Sequence, residues 1–201
     1  MKNMNSTIKH IGLGLIAGFI LGLIFAPWLS FTQSGPRGSY SVMSQNIDRH
    51  FIEEMIPHHE GAIAMAELAL EEATSLEIKS LAQGIIEAQK SENEQMRTWY
   101  KSWFGGVPSN ISNMGGMMGH GNIGMQIIGV GGDLDALKSA KDFDLEFIEQ
   151  MIPHHEMAIM MARMLAASTN RPEMKTLADN IINSQSREIE MMRSWYTAWS
   201  K

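Results

Sequence analysis

A chain of 201 residues with a formal charge of −6 has room for one core of ordinary size, and its scattered Lys and Arg form no basic stripe able to hold phosphates. Nucleic acid is therefore excluded as a partner. The absence of cysteine excludes a disulfide scaffold, thiolate zinc sites, Fe–S clusters and thiol catalysis, whereas 18 methionines are an excess that needs a chemical reason.

Between Ile11 and Phe31 the chain carries no charged residue, and Lys2 and Lys9 precede this segment. As a helix it would span roughly 30 Å, the thickness of a bilayer's hydrocarbon layer. Residues 1–31 therefore read as a signal peptide or signal-anchor membrane helix. The uncleaved anchor is favoured, because no A-x-A cleavage pattern follows and Trp28 and Phe31 suit a membrane interface. Positive charge ahead of the segment places the rest of the chain outside the cytoplasm, as a periplasmic or secreted domain or one held at the inner membrane by residues 11–31. A linker, 32–43, follows.

The chain then repeats itself. FIEEMIPHHEGAIAMA at 51–66 matches FIEQMIPHHEMAIMMA at 147–162 in 13 of 16 positions, at an offset of 96, and the match continues from 78–104 into 174–200. Within each copy the apolar residues recur at helical spacing, as in Phe51, Met55, Ala62, Met65, Ala66 and Ala69, then Leu81, Ile85, Met96, Trp99 and Trp103. Each copy predicts two helices. Thr74 and Glu77 form a capping-box pattern at the start of the second helix, matched by Asn170 and Glu173 in the second copy. One hairpin leaves its apolar stripe uncovered, so two hairpins, 44–104 and 139–201, stacked as an all-α four-helix bundle bury both. Residues 105–138 contain MGGMMGHG and GVGG and read as a Gly/Met-rich loop.

At about 100° per residue, His58 and His59 flank the centre of the buried stripe of their helix, while Glu53, Glu60 and Glu67 fall on the far side. The wheel draws His58 towards Met65 and His59 towards Met55, and Pro57 is expected to kink or restart the helix beside them. His154, His155, Met151, Met161 and Pro153 repeat the pattern. On the partner helices Gln89, Glu92 and Met96, with Gln185, Glu188 and Met192, stand on the apolar face, where polar groups need partners. Thioether and imidazole form a soft-to-borderline donor set that suits copper(I), with copper(II) also accommodated and silver(I) as a surrogate. Met114, Met117, Met118 and His120 add donors in a loop that has no core to fill.

The spacing also excludes two look-alikes. His-Glu here lacks the second histidine of H-E-x-x-H, and Met55 and Met151 stand where a di-iron bundle needs glutamate. No nucleophile or acid–base pair is arranged for hydrolysis, so the chain does not read as an enzyme, although a copper-dependent oxidoreductase is a third option. The main alternative is a membrane-tethered, metal-free structural or interaction module, with methionine as core filler and the histidines bonded to Glu92 and Glu188.

D-x-x-F-x-x-x-M-I-x-H-H-x-x-A-x-x-M-A at Asp48–Ala66 and Asp144–Ala162, with Q-x-x-E-x-x-x-M-x-x-W at Gln89–Trp99 and Gln185–Trp195, resembles the bacterial DUF305 family, which includes exported copper-binding proteins. The resemblance implies a ferritin-like helical bundle outside the cytoplasm that binds copper and helps the cell resist excess metal; copper export or delivery proteins are candidate partners. It carries metal-linked roles to Met55, His58, His59, Met65, Met151, His154, His155 and Met161. One departure stands out: Gly61, Ala64 and Gln95 of the first copy face Met157, Met160 and Met191 in the second, so the two halves need not bind equally.

Overall fold

A computed structural model describes residues 42–108 and 132–200, and these form an all-α fold with five helices among them. α1 (Val42–Glu72) and α2 (Leu76–Phe104) make the first hairpin; a short α3 (Leu134–Ser139) precedes the second, α4 (Phe143–Ser168) and α5 (Pro172–Trp199). The segment 11–31, the linker up to residue 41 and the loop residues Met114, Met117, Met118 and His120 lie outside the described residues. No helix among the described residues is long and apolar enough to cross a membrane.

The four long helices form because their apolar residues fall on one stripe, and the caps fix where they begin. Ser75, not Thr74, is the N-cap of α2, and its side chain accepts a hydrogen bond from Ile78 N. The expected Thr74/Glu77 box is therefore displaced by one residue. In the second hairpin the pattern at Asn170 and Glu173 is not used either: Arg171 is the N-cap without a side-chain bond, and Pro172 starts the helix with its preset φ. α2 stops at Gly105, whose φ of 74° suits glycine. α1 and α4 both run unbroken through Pro57 and Pro153 rather than restarting there. The last residues of the stretch read as loop fold into α3, capped by Asp133 and seated on the core through buried Leu137.

The two hairpins meet through α1 and α4, which run antiparallel. Phe51, Ile52 and Met55 near the start of α1 share a cluster with Ala158, Ala162 and Leu165 from the second half of α4. Conversely, Ala62, Met65 and Ala69 share one with Phe147, Ile148 and Met151 from the first half of α4. Two buried carboxylates tie the ends of this pair. Asp144 on α4 accepts from Thr74 N at 3.0 Å, Thr74 Oγ1 at 2.6 Å and Ser75 N at 2.8 Å, so it holds the α1–α2 turn of the other hairpin. Asp48 on α1, its repeat mate, reaches across to Arg171 at 3.2 Å in the α4–α5 turn. Burial pushes the Asp48 carboxyl up, against a hydrogen bond from Thr169 and the charge of Arg171. Arg171 also lies 3.9 Å from the centre of the Trp103 ring.

Candidate metal centre

Midway along the crossing of α1 and α4 the duplicated histidines come together. The rings of His58 and His154 lie 3.8 Å apart, centre to centre, with their planes at 44°. Their neighbours His59 and His155 sit 6.5 and 6.3 Å from them and are fully buried. Repetition of the same sequence in two antiparallel helices forces this: a residue near the middle of one lies opposite its own copy in the other.

Each outer histidine is held by the second helix of its own hairpin. His59 Nε2 lies 2.8 Å from Glu92 Oε2 on α2, and His155 Nε2 lies 2.6 Å from Glu188 Oε2 on α5. A carboxylate only accepts, so Nε2 carries the hydrogen and donates it, which leaves Nδ1 of a neutral ring with its lone pair. Both Nδ1 atoms are buried without a hydrogen-bond partner among the described residues. This is how metal-binding histidines are commonly set, with the non-ligating nitrogen anchored to a carboxylate and the other free to coordinate. At His58 both ring nitrogens are buried without a hydrogen-bond partner among the described residues. Burial, reinforced by His154, His59 and His155, holds its imidazole far below the ordinary histidine range, so the ring is neutral and offers a lone pair rather than a positive charge.

The candidate methionines of the helices form two sets, each keeping two from one copy and taking one from the other. Met55 and Met96 are fully buried in one cluster, and Met161 of the other repeat packs against it. Met65, Met151 and Met192 are fully buried in the other cluster, the symmetry mate of the first. Seven residues of helix separate Met65 from His58, a rise of about 10.5 Å. The Met65 sulfur lies instead under Gly132: a Cβ added there would come within 2.2 Å of it.

Among the described residues no three His, Asp or Glu side chains converge on a possible ion position. The interior holds four buried histidines and, in the two packed clusters, buried methionines. Gln89 and Gln185 each bury an Oε1 that has no hydrogen-bond partner among the described residues. Asn93 joins them, reaching the Ile56 carbonyl at 3.5 Å. Sequence reasoning missed the cross-hairpin role of Asp48 and Asp144, although both open the repeated D-x-x-F motif and a conspicuous acid ahead of an apolar stripe was the available signal.

These features define a class: a bundle of two duplicated hairpins whose repeated histidines meet across the repeat boundary in a methionine-rich interior. Residues 48–196 match the family described as "Domain of unknown function (DUF305)", and the chain belongs to that family. Among solved structures, CopM in its Cu(II)-bound form is 50% identical, with a TM-score of 0.67 over 76% of this chain and 97% of that one. CopM in its Cu(I)-bound form is 46% identical, with a TM-score of 0.66 over 77% and 98%. CopM has also been solved with silver bound. A DUF305 fragment from Deinococcus radiodurans, 24% identical with a TM-score of 0.62 over 76% of this chain and 96% of that one, shares the fold. A curated relative, the uncharacterized protein L153 of Acanthamoeba polyphaga mimivirus, is 45% identical over 51 residues, 25% of this chain and 34% of the relative. The match thus spans about a third of that relative's length.

Proposed function

We propose that this protein binds copper outside the cytoplasm and sequesters it or hands it on, serving copper resistance and homeostasis rather than catalysis. The observation that carries the reading is the pair of buried histidines, His59 and His155, each held through Nε2 by a carboxylate while its Nδ1 is buried without a hydrogen-bond partner among the described residues. CopM, with copper(I), copper(II) and silver forms, lends support from a related chain.

In this reading His58, His59, His154 and His155 supply nitrogen. Met55, Met96 and Met161 supply sulfur on one side, and Met65, Met151 and Met192 on the other. Thioethers have no proton to lose and do not form disulfides, so they hold a soft ion in an oxidising compartment where thiols fail. Met114, Met117, Met118 and His120 catch the ion first and release it to export or delivery proteins, and residues 11–31 direct the chain to the membrane. The test is titration of the full chain with copper(I) and copper(II), repeated on the variant with His58, His59, His154 and His155 all changed to Ala. Loss of the tight sites in the variant is expected. Unchanged stoichiometry and affinity would remove the interior sites from the proposal.

The Glu92 and Glu188 hydrogen bonds equally favour a metal-free module in which these histidines only knit helices together. That reading predicts a melting temperature indifferent to copper, whereas an ion bound only by the folded chain raises it.

A further inference from the structure

Large apolar side chains on the outside of α4 break the pattern of an amphipathic helix, and both of them are methionine: Met160 is 48% exposed and Met164 58% exposed. With half-buried Met157 and Met161 they fall at i, i+3, i+4 and i+7, a single stripe running down one side of the helix. The repeat provides an internal control. The matching residues of α1 are Gly61, Ala64, Met65 and Leu68, so three of the four sulfurs belong to the second copy alone. Around Ala64 the first hairpin instead has an open groove between α1 and α2, crossed by the Glu60–Arg97 and Glu67–Lys90 ion pairs at 2.6 and 2.8 Å. The Glu60–Arg97 pair recurs as Glu156–Arg193, but Glu67–Lys90 is replaced by Arg163 and Ser186, so the second half loses one ion pair and gains three thioethers at these positions.

Hydrophobic burial does not explain exposed Met160 and Met164, which leave much of their surface in water. Sulfur chemistry does. Met160 and Met164 stand one turn apart, with Cβ atoms about 5–6 Å from each other, within reach of a common ion for two flexible, unbranched side chains. The stripe contains no carboxylate, and the adjacent Glu156 is engaged with Arg193 at 2.5 Å. Exposed Arg163 flanks it with positive charge. Neutral soft donors beside a cation select a soft monovalent ion over a divalent one. The stripe also leads inward, because Met161 packs against the cluster that contains Met55 and Met96.

Resting on the copper-binding reading above, we propose that Met157, Met160, Met161 and Met164 form a surface port for a soft monovalent ion, copper(I) or silver(I). Through it the ion reaches the buried Met55/Met96 side of the bundle, and loading is one-sided because the first hairpin has no counterpart.

The test is the full-chain variant Met160→Leu/Met164→Leu, which keeps apolar bulk and helix propensity and removes two sulfurs. Silver(I) is delivered from a chelator-buffered pool; the loading rate and the number of ions held at saturation are measured, and peroxide oxidation of each methionine is followed by mass spectrometry. Loading about tenfold slower in the variant, with the interior ions still bound at saturation, is expected, since the approach to the site and not the site is altered. In the unaltered protein, silver(I) supplied in excess of the interior sites should protect exposed Met160 and Met164 from peroxide. Equal loading rates in the two proteins, or undiminished oxidation of Met160 and Met164 with silver(I) present, would overturn the port while interior binding still supports the copper reading. No binding by either protein would overturn both.

Discussion

Changing Glu92 and Glu188 to Gln separates a histidine that binds metal from one that only packs. Gln has the shape of Glu, and its side-chain oxygen still accepts the Nε2–H, so the rings of His59 and His155 keep their places. Only the negative charge is removed. The two hydrogen bonds are short, at 2.8 and 2.6 Å, and the carboxylates are only 18% exposed, so solvent screens them weakly. A charge-assisted bond is roughly twice as strong as a neutral one, and the lost charge also makes Nδ1 a poorer donor. Outer partners of metal-bound histidine are worth about 10–100-fold in affinity, or about 1.4–2.7 kcal/mol. The double variant is therefore expected to bind copper(I) about tenfold or more weakly in competition with a chromophoric chelator, with a slightly lowered metal-free melting temperature. Exposed Glu190→Gln serves as the control. Affinity for copper(I) indistinguishable from the unaltered chain, alongside a lowered melting temperature, would refute the reasoning and leave these histidines as structural.

Three further outcomes follow from the fold. Asp144→Ala removes three hydrogen bonds to a buried carboxylate and should destabilise by about 3–4 kcal/mol in urea unfolding followed by tryptophan fluorescence. Asp142→Ala removes only a local cap on Leu145 N and should lose about 1 kcal/mol; equal losses would contradict the cross-hairpin lock. Because His58 is held neutral in the fold, the unfolded chain takes up the proton first as pH falls below its ordinary value of 6.5. Metal-free stability should then drop towards pH 5 by up to about 1.4 kcal/mol per pH unit for that proton, and less steeply in His58→Gln; a flat profile in both would count against a buried neutral ring. Gly132→Ala combines a φ of 41° with a Cβ 2.2 Å from the Met65 sulfur, and should lower stability by about 1–3 kcal/mol, measured as a shift in urea midpoint. A neutral result would show that the Met65 side chain yields freely.

The repeat and its apolar periodicity were enough to determine four long helices, their pairing into two hairpins and the inward placement of His58, His59, His154 and His155. Those properties depend on the angle of a side chain about its own helix axis, which local sequence dictates. What lies opposite a side chain, and at what height, depends on how α1 crosses α4, and that crossing joins residues 96 positions apart. Only the tertiary structure therefore decided that His58 meets His154, that Met161 packs with Met55 and Met96 while Met65 goes with Met151 and Met192, and that Asp144 holds a turn in the other hairpin. The same crossing displaced the cap of α2 from Thr74 to Ser75, because the Thr74 hydroxyl donates to Asp144 instead of accepting from its own helix. Antiparallel packing of two copies of one helix turned a motif repeated in sequence into an interior shared by both halves.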